Sequence, residues 1–146
     1  MTNKNKIINQ AQKFIQKGQW DKAIKELQKL VAEDPSDVRT LLKLGDVFAK
    51  KGDREQATKV YKQVAESYSE QGFFLKAVAV YKQILKHDQK NLEVTLKLAE
   101  LYEHLGLTSE AMVQYQVASQ LHDESGNARD ATWYWTIASE VSPRCS

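Results

Sequence analysis

The chain has 146 residues, one domain's length, and its 21 lysines and arginines against 19 aspartates and glutamates leave a formal net charge of only +2. A balance so close to neutral exerts no long-range pull on a phosphate backbone, which argues against nucleic acid as a partner. The lone cysteine, Cys145, excludes an internal disulfide, and no stretch approaches the ~20 apolar residues of a membrane span or the roughly 7 to 15 of a secretory leader. A cytoplasmic chain with no membrane insertion is expected. Residues 1 to 73 hold 14 basic and 10 acidic side chains and residues 74 to 146 hold 7 and 9, a mild skew of the kind that serves solubility.

Apolar residues recur at helical spacing along the chain. They predict helices over 4–17 (Ile7, Ala11, Phe14, Ile15), 20–33 (Ala23, Ile24, Leu27, Leu30, Val31) and 37–51 (Leu41, Leu44, Gly45, Phe48). Further helices follow over 53–71 (Ala57, Val60, Tyr61, Val64, Ala65, Tyr68), 73–88 (Ala77, Val78, Tyr81, Ile84, Leu85), 91–105, 107–125 and 127–141. Gly18, Gly52, Gly72, Gly106 and Gly126 fall where periodic segments end, and Asp53 and Ser109 carry side-chain oxygens suited to helix starts. No alternating run of four or more residues signals a strand, so the reading is all-α, with about eight antiparallel helices.

Set with Leu42 on Leu96, the chain lies on itself without a gap. Leu42, Lys43, Leu44, Gly52, Ala57, Tyr61, Glu70, Gly72 and Ala77 recur as Leu96, Lys97, Leu98, Gly106, Ala111, Tyr115, Glu124, Gly126 and Ala131. Repeat units bury their apolar faces against neighbours and build an extended surface, so binding is expected before catalysis.

Within each unit a small residue, an aromatic three on, a glycine turn, an alanine and a large residue four later recur. Ala11, Phe14, Gly18, Ala23, Leu27 and Pro35 fit this pattern, as do Gly45, Phe48, Gly52, Ala57 and Tyr61, and Ala99, Tyr102, Gly106, Ala111 and Tyr115. The pattern resembles the tetratricopeptide repeat family across nearly the whole chain, and Ala23 to Ala57 spans one period of that family. The resemblance implies one right-handed α-α superhelical domain over 1–146, with units near 4–37, 38–88 and 92–142. From Ala57 to Ala77, and from Ala111 to Ala131, the interval falls short of that period by one helix's worth of chain. Two lengthened helices, 53–71 and 107–125, are expected to pair backward with their first halves and forward with their second. The repeating unit is then three helices, and the family's regular concave groove is expected to be interrupted.

Little in the sequence suggests an enzyme. His87, His104 and His122 are widely separated, without the i, i+4 spacing of a helical metal pair, and Cys145 has no nearby base. No phosphate-binding glycine loop or GxSxG turn is present, so no catalytic residue, metal or cofactor is assigned. His122 falls at the core-facing position of Tyr68 and reads as a packed side chain. Acidic pairs such as Glu100 with Glu103 read as solvated helix faces.

Two surfaces stand out. The resemblance implies a partner-binding groove, whose lining includes Asn9, Gln12, Arg39, Lys43, Asp46, Lys97, Glu100 and His104. Members that bind chaperones clamp a terminal carboxylate with lysine and asparagine. Here Ile8 and Gln12 stand in the first-unit places and Lys43 in the second, so the clamp is not reproduced. Lys43 and Lys97 could pair with acidic groups of a partner, or simply be solvated.

The second surface comes from comparing the copies. Lys59, Gln63 and Ser67 become Val113, Val117 and Leu121, and Ala79, Gln83 and His87 become Trp133, Ile137 and Val141. Each set runs i, i+4, i+8 down one helix side, which makes an apolar interface. Alternatively, these stripes bury one another, or further helices followed in a longer parent protein. The function expected is a protein-interaction adaptor with a protein or peptide partner. The alternative is an assembly module that forms a homodimer through the apolar stripes.

Overall fold

The computed structural model describes residues 3–124. Seven helices fill them: α1 (Asn3–Gln16), α2 (Trp20–Glu33), α3 (Val38–Lys51), α4 (Arg54–Glu70), α5 (Phe74–His87), α6 (Leu92–His104) and α7 (Thr108–Glu124). Each lies within a residue or so of its predicted span, and no strand occurs among the described residues. The eighth predicted helix, 127–141, lies outside the described residues. The starts of α2, α3 and α4 are displaced from those of α5, α6 and α7 by the same interval that separates Ala57 from Ala111, so the sequence period is also the structural one.

The turns show why the period works. Gly52 adopts φ 92°, a left-handed conformation that costs a side-chain-bearing residue strain. Its N–H donates to Ala49 O at 3.1 Å, and the next N–H, of Asp53, donates to Phe48 O at 3.0 Å. This paired closure satisfies two carbonyls left over at the helix end. The same closure ends α1, α4 and α6, where Gln19, Phe73 and Leu107 donate to Phe14, Tyr68 and Tyr102, each at 2.8 Å. All four acceptors are the aromatic residue four positions before the glycine. The aromatic residue of the motif thus sits where the helix both packs and stops.

Helix starts follow a second rule. Asp37 accepts from the Thr40 N–H and the Thr40 hydroxyl, and its counterpart in the second copy, Asn91, accepts from the Val94 N–H at 3.1 Å. Asp53 caps α4 by accepting from Gln56 N–H at 3.2 Å, as expected. Ser109 does not cap α7. The helix already starts at Thr108, and Ala111 N–H bonds back to Leu107 O at 3.0 Å, which places Ser109 inside the first turn.

Asp37 also accepts an ion-pair bond from Lys4. That bond, with those from Thr40, holds its carboxyl below the usual carboxylate value of 3.8 despite the opposing effect of burial. A folded-state pKa below the unfolded one contributes stability that is present above the unfolded value and is lost as pH falls through the folded one. Asn91 cannot titrate. Asp37→Asn should therefore flatten the acid limb of the thermal stability curve around and below the usual carboxylate value. An acid limb as steep as that of the wild type would contradict this role.

The described chain forms two compact units, divided between Ser67 and Tyr68. In the first, α1 packs on α2 and α2 on α3, burying Ala11, Ala23, Leu27, Leu30, Leu44 and Val47. Tyr61, 2% exposed, brings α4 against α3, where its ring faces Gly45 and its hydroxyl donates to Asp46. In the second, α6 packs between α5 and α7 and buries Val94, Leu98, Ala99, Leu101 and Tyr102. Small residues such as Ala11, Ala23, Ala77 and Ala111, at most 1% exposed, let the helices approach closely.

Candidate functional site

In the first unit, Asn9 and Gln12 on α1 and Arg39, Lys43 and Asp46 on α3 are all exposed. The Lys4–Asp37 bond ties the start of α1 to the start of α3. Asp46 is held from below by the Tyr61 hydroxyl. Arg39 and Lys43 pair with no carboxylate among the described residues, which leaves two cations available on one helix face.

In the second unit, Lys97, Glu100 and His104 are exposed along one stripe of α6. Lys97 likewise has no carboxylate partner among the described residues. The His104 ring stacks on Phe74, with centroids 5.3 Å apart and planes 8° apart. Tyr115 rises from the core to bond Glu103. Burial first, then the Glu103 bond and the charges of Glu103 and Glu100, push its phenol well above the usual tyrosine range. It therefore stays a protonated donor that orients an acidic side chain.

Every groove residue named from the sequence is thus on the surface of its own unit. The tyrosine anchors beneath Asp46 and Glu103 were not anticipated. A signal existed, since Tyr61 and Tyr115 are equivalent in the two copies and each lies within reach of an acidic residue on the preceding helix.

Of the apolar stripe, Val113 is 49% exposed, while Val117 and Leu121 are half-buried. Leu121 shares a shallow depression with Leu92, beneath the Lys90–Glu124 pair at 3.6 Å. Trp133, Ile137 and Val141 lie outside the described residues. His122 is half-buried on α7, in line with a packed rather than a solvated ring. No cluster of three or more metal-ligating side chains occurs among the described residues. No helix among them is long and apolar enough to cross a membrane.

Stacked antiparallel helix pairs with polar, exposed faces define a helical-repeat scaffold. Three family models match the sequence, one described as TPR repeat over residues 11–52 and two as tetratricopeptide repeat over 39–71 and 68–131. The chain belongs to the tetratricopeptide repeat family, whose members are typically non-catalytic scaffolds for protein–protein interaction.

Among solved structures, the chain is similar to a MamA protein, at 19% identity over 99% of this chain and 94% of that one, with a TM-score of 0.43. It is similar to the type III secretion translocator chaperone SycD of Yersinia enterocolitica, at 20% identity over 96% and 83%, with a TM-score of 0.42. A tetratricopeptide repeat protein of Parabacteroides merdae matches at 18% identity over 99% and 63%, with a TM-score of 0.43. No curated protein matches the chain in sequence.

Proposed function

We propose that this protein is a non-catalytic adaptor of the cytoplasm that holds a protein or peptide partner on the polar faces of α3 and α6. The observation that carries this reading is a lysine kept at the same place in both copies. Lys43 and Lys97 are equivalent by the repeat, both are exposed, and neither has a carboxylate partner among the described residues. At the two ends of the same stripe the copies differ, since Arg39 becomes Glu93 and Lys50 becomes His104. An exposed, uncompensated cation adds little to folding but favours a carboxylate brought by a partner.

Capture of partners from a lysate with the Lys43→Glu, Lys97→Glu variant tests the reading. Partner recovery should fall about tenfold while the helical circular dichroism is unchanged. Recovery equal to that of the wild type would sink the groove assignment.

The homodimer reading has one observation in its favour, the 49% exposure of Val113 at the head of the apolar stripe. Sedimentation of wild type and Val113→Lys separates the two readings. A wild-type dimer that the substitution converts to monomer would favour assembly over adaptor function.

A further inference from the structure

One edge of the second unit has changed character relative to its counterpart in the first. In the first copy this edge is polar and salt-bridged. Lys51 Nζ lies 2.7 Å from Asp21 Oδ1, and this bond, with the charges of Asp21 and Asp53, raises the lysine's pKa. Asp21, Lys51 and Asp53 therefore converge where the start of α2 meets the end of α3. In the second copy these positions are Leu75, Leu105 and Leu107, and the neighbouring Gln19 has become Phe73. The Phe74–His104 stack shows that the start of α5 meets the end of α6 in the same way.

Packing within the unit does not require the change. Leu75 is 67% exposed, Phe73 48% and Leu107 38%, and these are three of the four large hydrophobic residues exposed among the described residues. The glycine turns account for part of it, because a residue just past such a turn often touches the aromatic residue it closes on. Phe73 meets the edge of Tyr68 in this way, at 6.5 Å between centroids. Gln19 and Asp53 serve at the same turns without being apolar, and Leu75 lies beyond any turn. At Leu107 the change also gives up a side-chain cap of the kind that Asp53 supplies to α4.

Charge indicates the occupant. Both acids of the first edge are gone from the second, while the lysine beside them is kept, Lys22 becoming Lys76. Lys76 Nζ stands 4.9 Å from the Phe73 ring centroid and 5.6 Å from that of Tyr68, and it pairs with no carboxylate among the described residues. An apolar ledge beside a cation without a counter-charge calls for apolar side chains next to a carboxylate.

We propose that the ledge formed by Phe73, Leu75, Leu105 and Leu107 docks a partner segment in which bulky apolar side chains adjoin an aspartate or glutamate, and that Lys76 receives the carboxylate. The ledge shares no residue with the stripe of Lys97, Glu100 and His104, which it adjoins at the Phe74–His104 stack, so Lys43→Glu, Lys97→Glu tests the groove reading apart from the ledge.

The test is selection of displayed random peptides on the full chain, followed by titration of a synthesised winner. The control is Phe73→Gln, Leu75→Asp, Leu105→Lys, which installs residues that the first copy already accommodates. The expected winners place leucine, methionine or aromatic residues beside acids. They should bind the control about tenfold or more weakly, bind Lys76→Glu comparably weakly, and bind Lys43→Glu, Lys97→Glu as they bind wild type. The proposal is overturned if selection enriches nothing over the control, if the winners lack acids, or if the Lys43→Glu, Lys97→Glu variant alone loses binding. A wild-type dimer that the control converts to monomer also overturns it, since the occupant would then be a second copy.

Discussion

Gly45→Val should lower the stability of the first unit by about 3 kcal/mol, read as a fall in the urea midpoint. Gly45 lies in the middle of α3, and a Cβ built there would come within 2.8 Å of Tyr61 Cε1 and 3.0 Å of Cδ1. The ring cannot simply swing aside, because Tyr61 is 2% exposed and its hydroxyl is bonded to Asp46. Overpacking costs about 1 to 3 kcal/mol, and the second valine methyl puts this site at the upper end.

Gly45→Ala should cost less, because leaving glycine in a helix interior returns about 1 kcal/mol. The second copy shows how one methyl can be accommodated. Its equivalent residue is Ala99, which is buried, and Tyr115, the counterpart of Tyr61, bonds Glu103, three positions beyond the counterpart of Asp46. A different acceptor for the hydroxyl therefore accompanies the added methyl. A midpoint for Gly45→Val equal to that of the wild type would contradict the close approach.

Helix positions were legible because this fold writes its local rules into the sequence. Four aromatic residues, each followed four positions later by glycine, mark four helix ends, and the apolar spacing fixes which face is buried. The lengthened helices were legible too, since the short intervals from Ala57 to Ala77 and from Ala111 to Ala131 leave no room for another helix, and α4 and α7 each run 17 residues. Helix starts were harder to read. Asp53 and Ser109 looked equivalent as oxygen-bearing residues, but capping depends on a one-position register that composition does not carry.

The surfaces were legible only in part. Exposure of Lys43 and Lys97 followed from their position opposite the core residues. The tyrosine anchors did not, because whether a hydroxyl reaches Asp46 or Glu103 depends on how two helices tilt against each other. The ledge was available in the sequence as Asp21 against Leu75 and Asp53 against Leu107. It becomes persuasive only when the Lys51–Asp21 pair shows that these positions, far apart in the chain, share one edge.

Leu98→Ala and Lys97→Glu, adjacent in sequence, should have opposite consequences, and together they test the division between folding and binding on which the functional reading rests. Leu98 is 2% exposed on α6, the helix packed against both α5 and α7. Truncation removes apolar atoms and leaves a cavity that two flanking helices cannot both close, at a cost of about 3 kcal/mol. Lys97 points to solvent and pairs with no carboxylate among the described residues, so reversing its charge should change stability by no more than about 0.5 kcal/mol. Urea denaturation measures both stability changes, and partner recovery reads the binding that Lys97→Glu should lower. If Lys97→Glu unfolds the protein, the lysine is part of the fold and cannot be assigned to a partner. If Leu98→Ala leaves the midpoint unchanged, the register of α6 is wrong by one position, and the stripe of Lys97, Glu100 and His104 turns away from solvent with it.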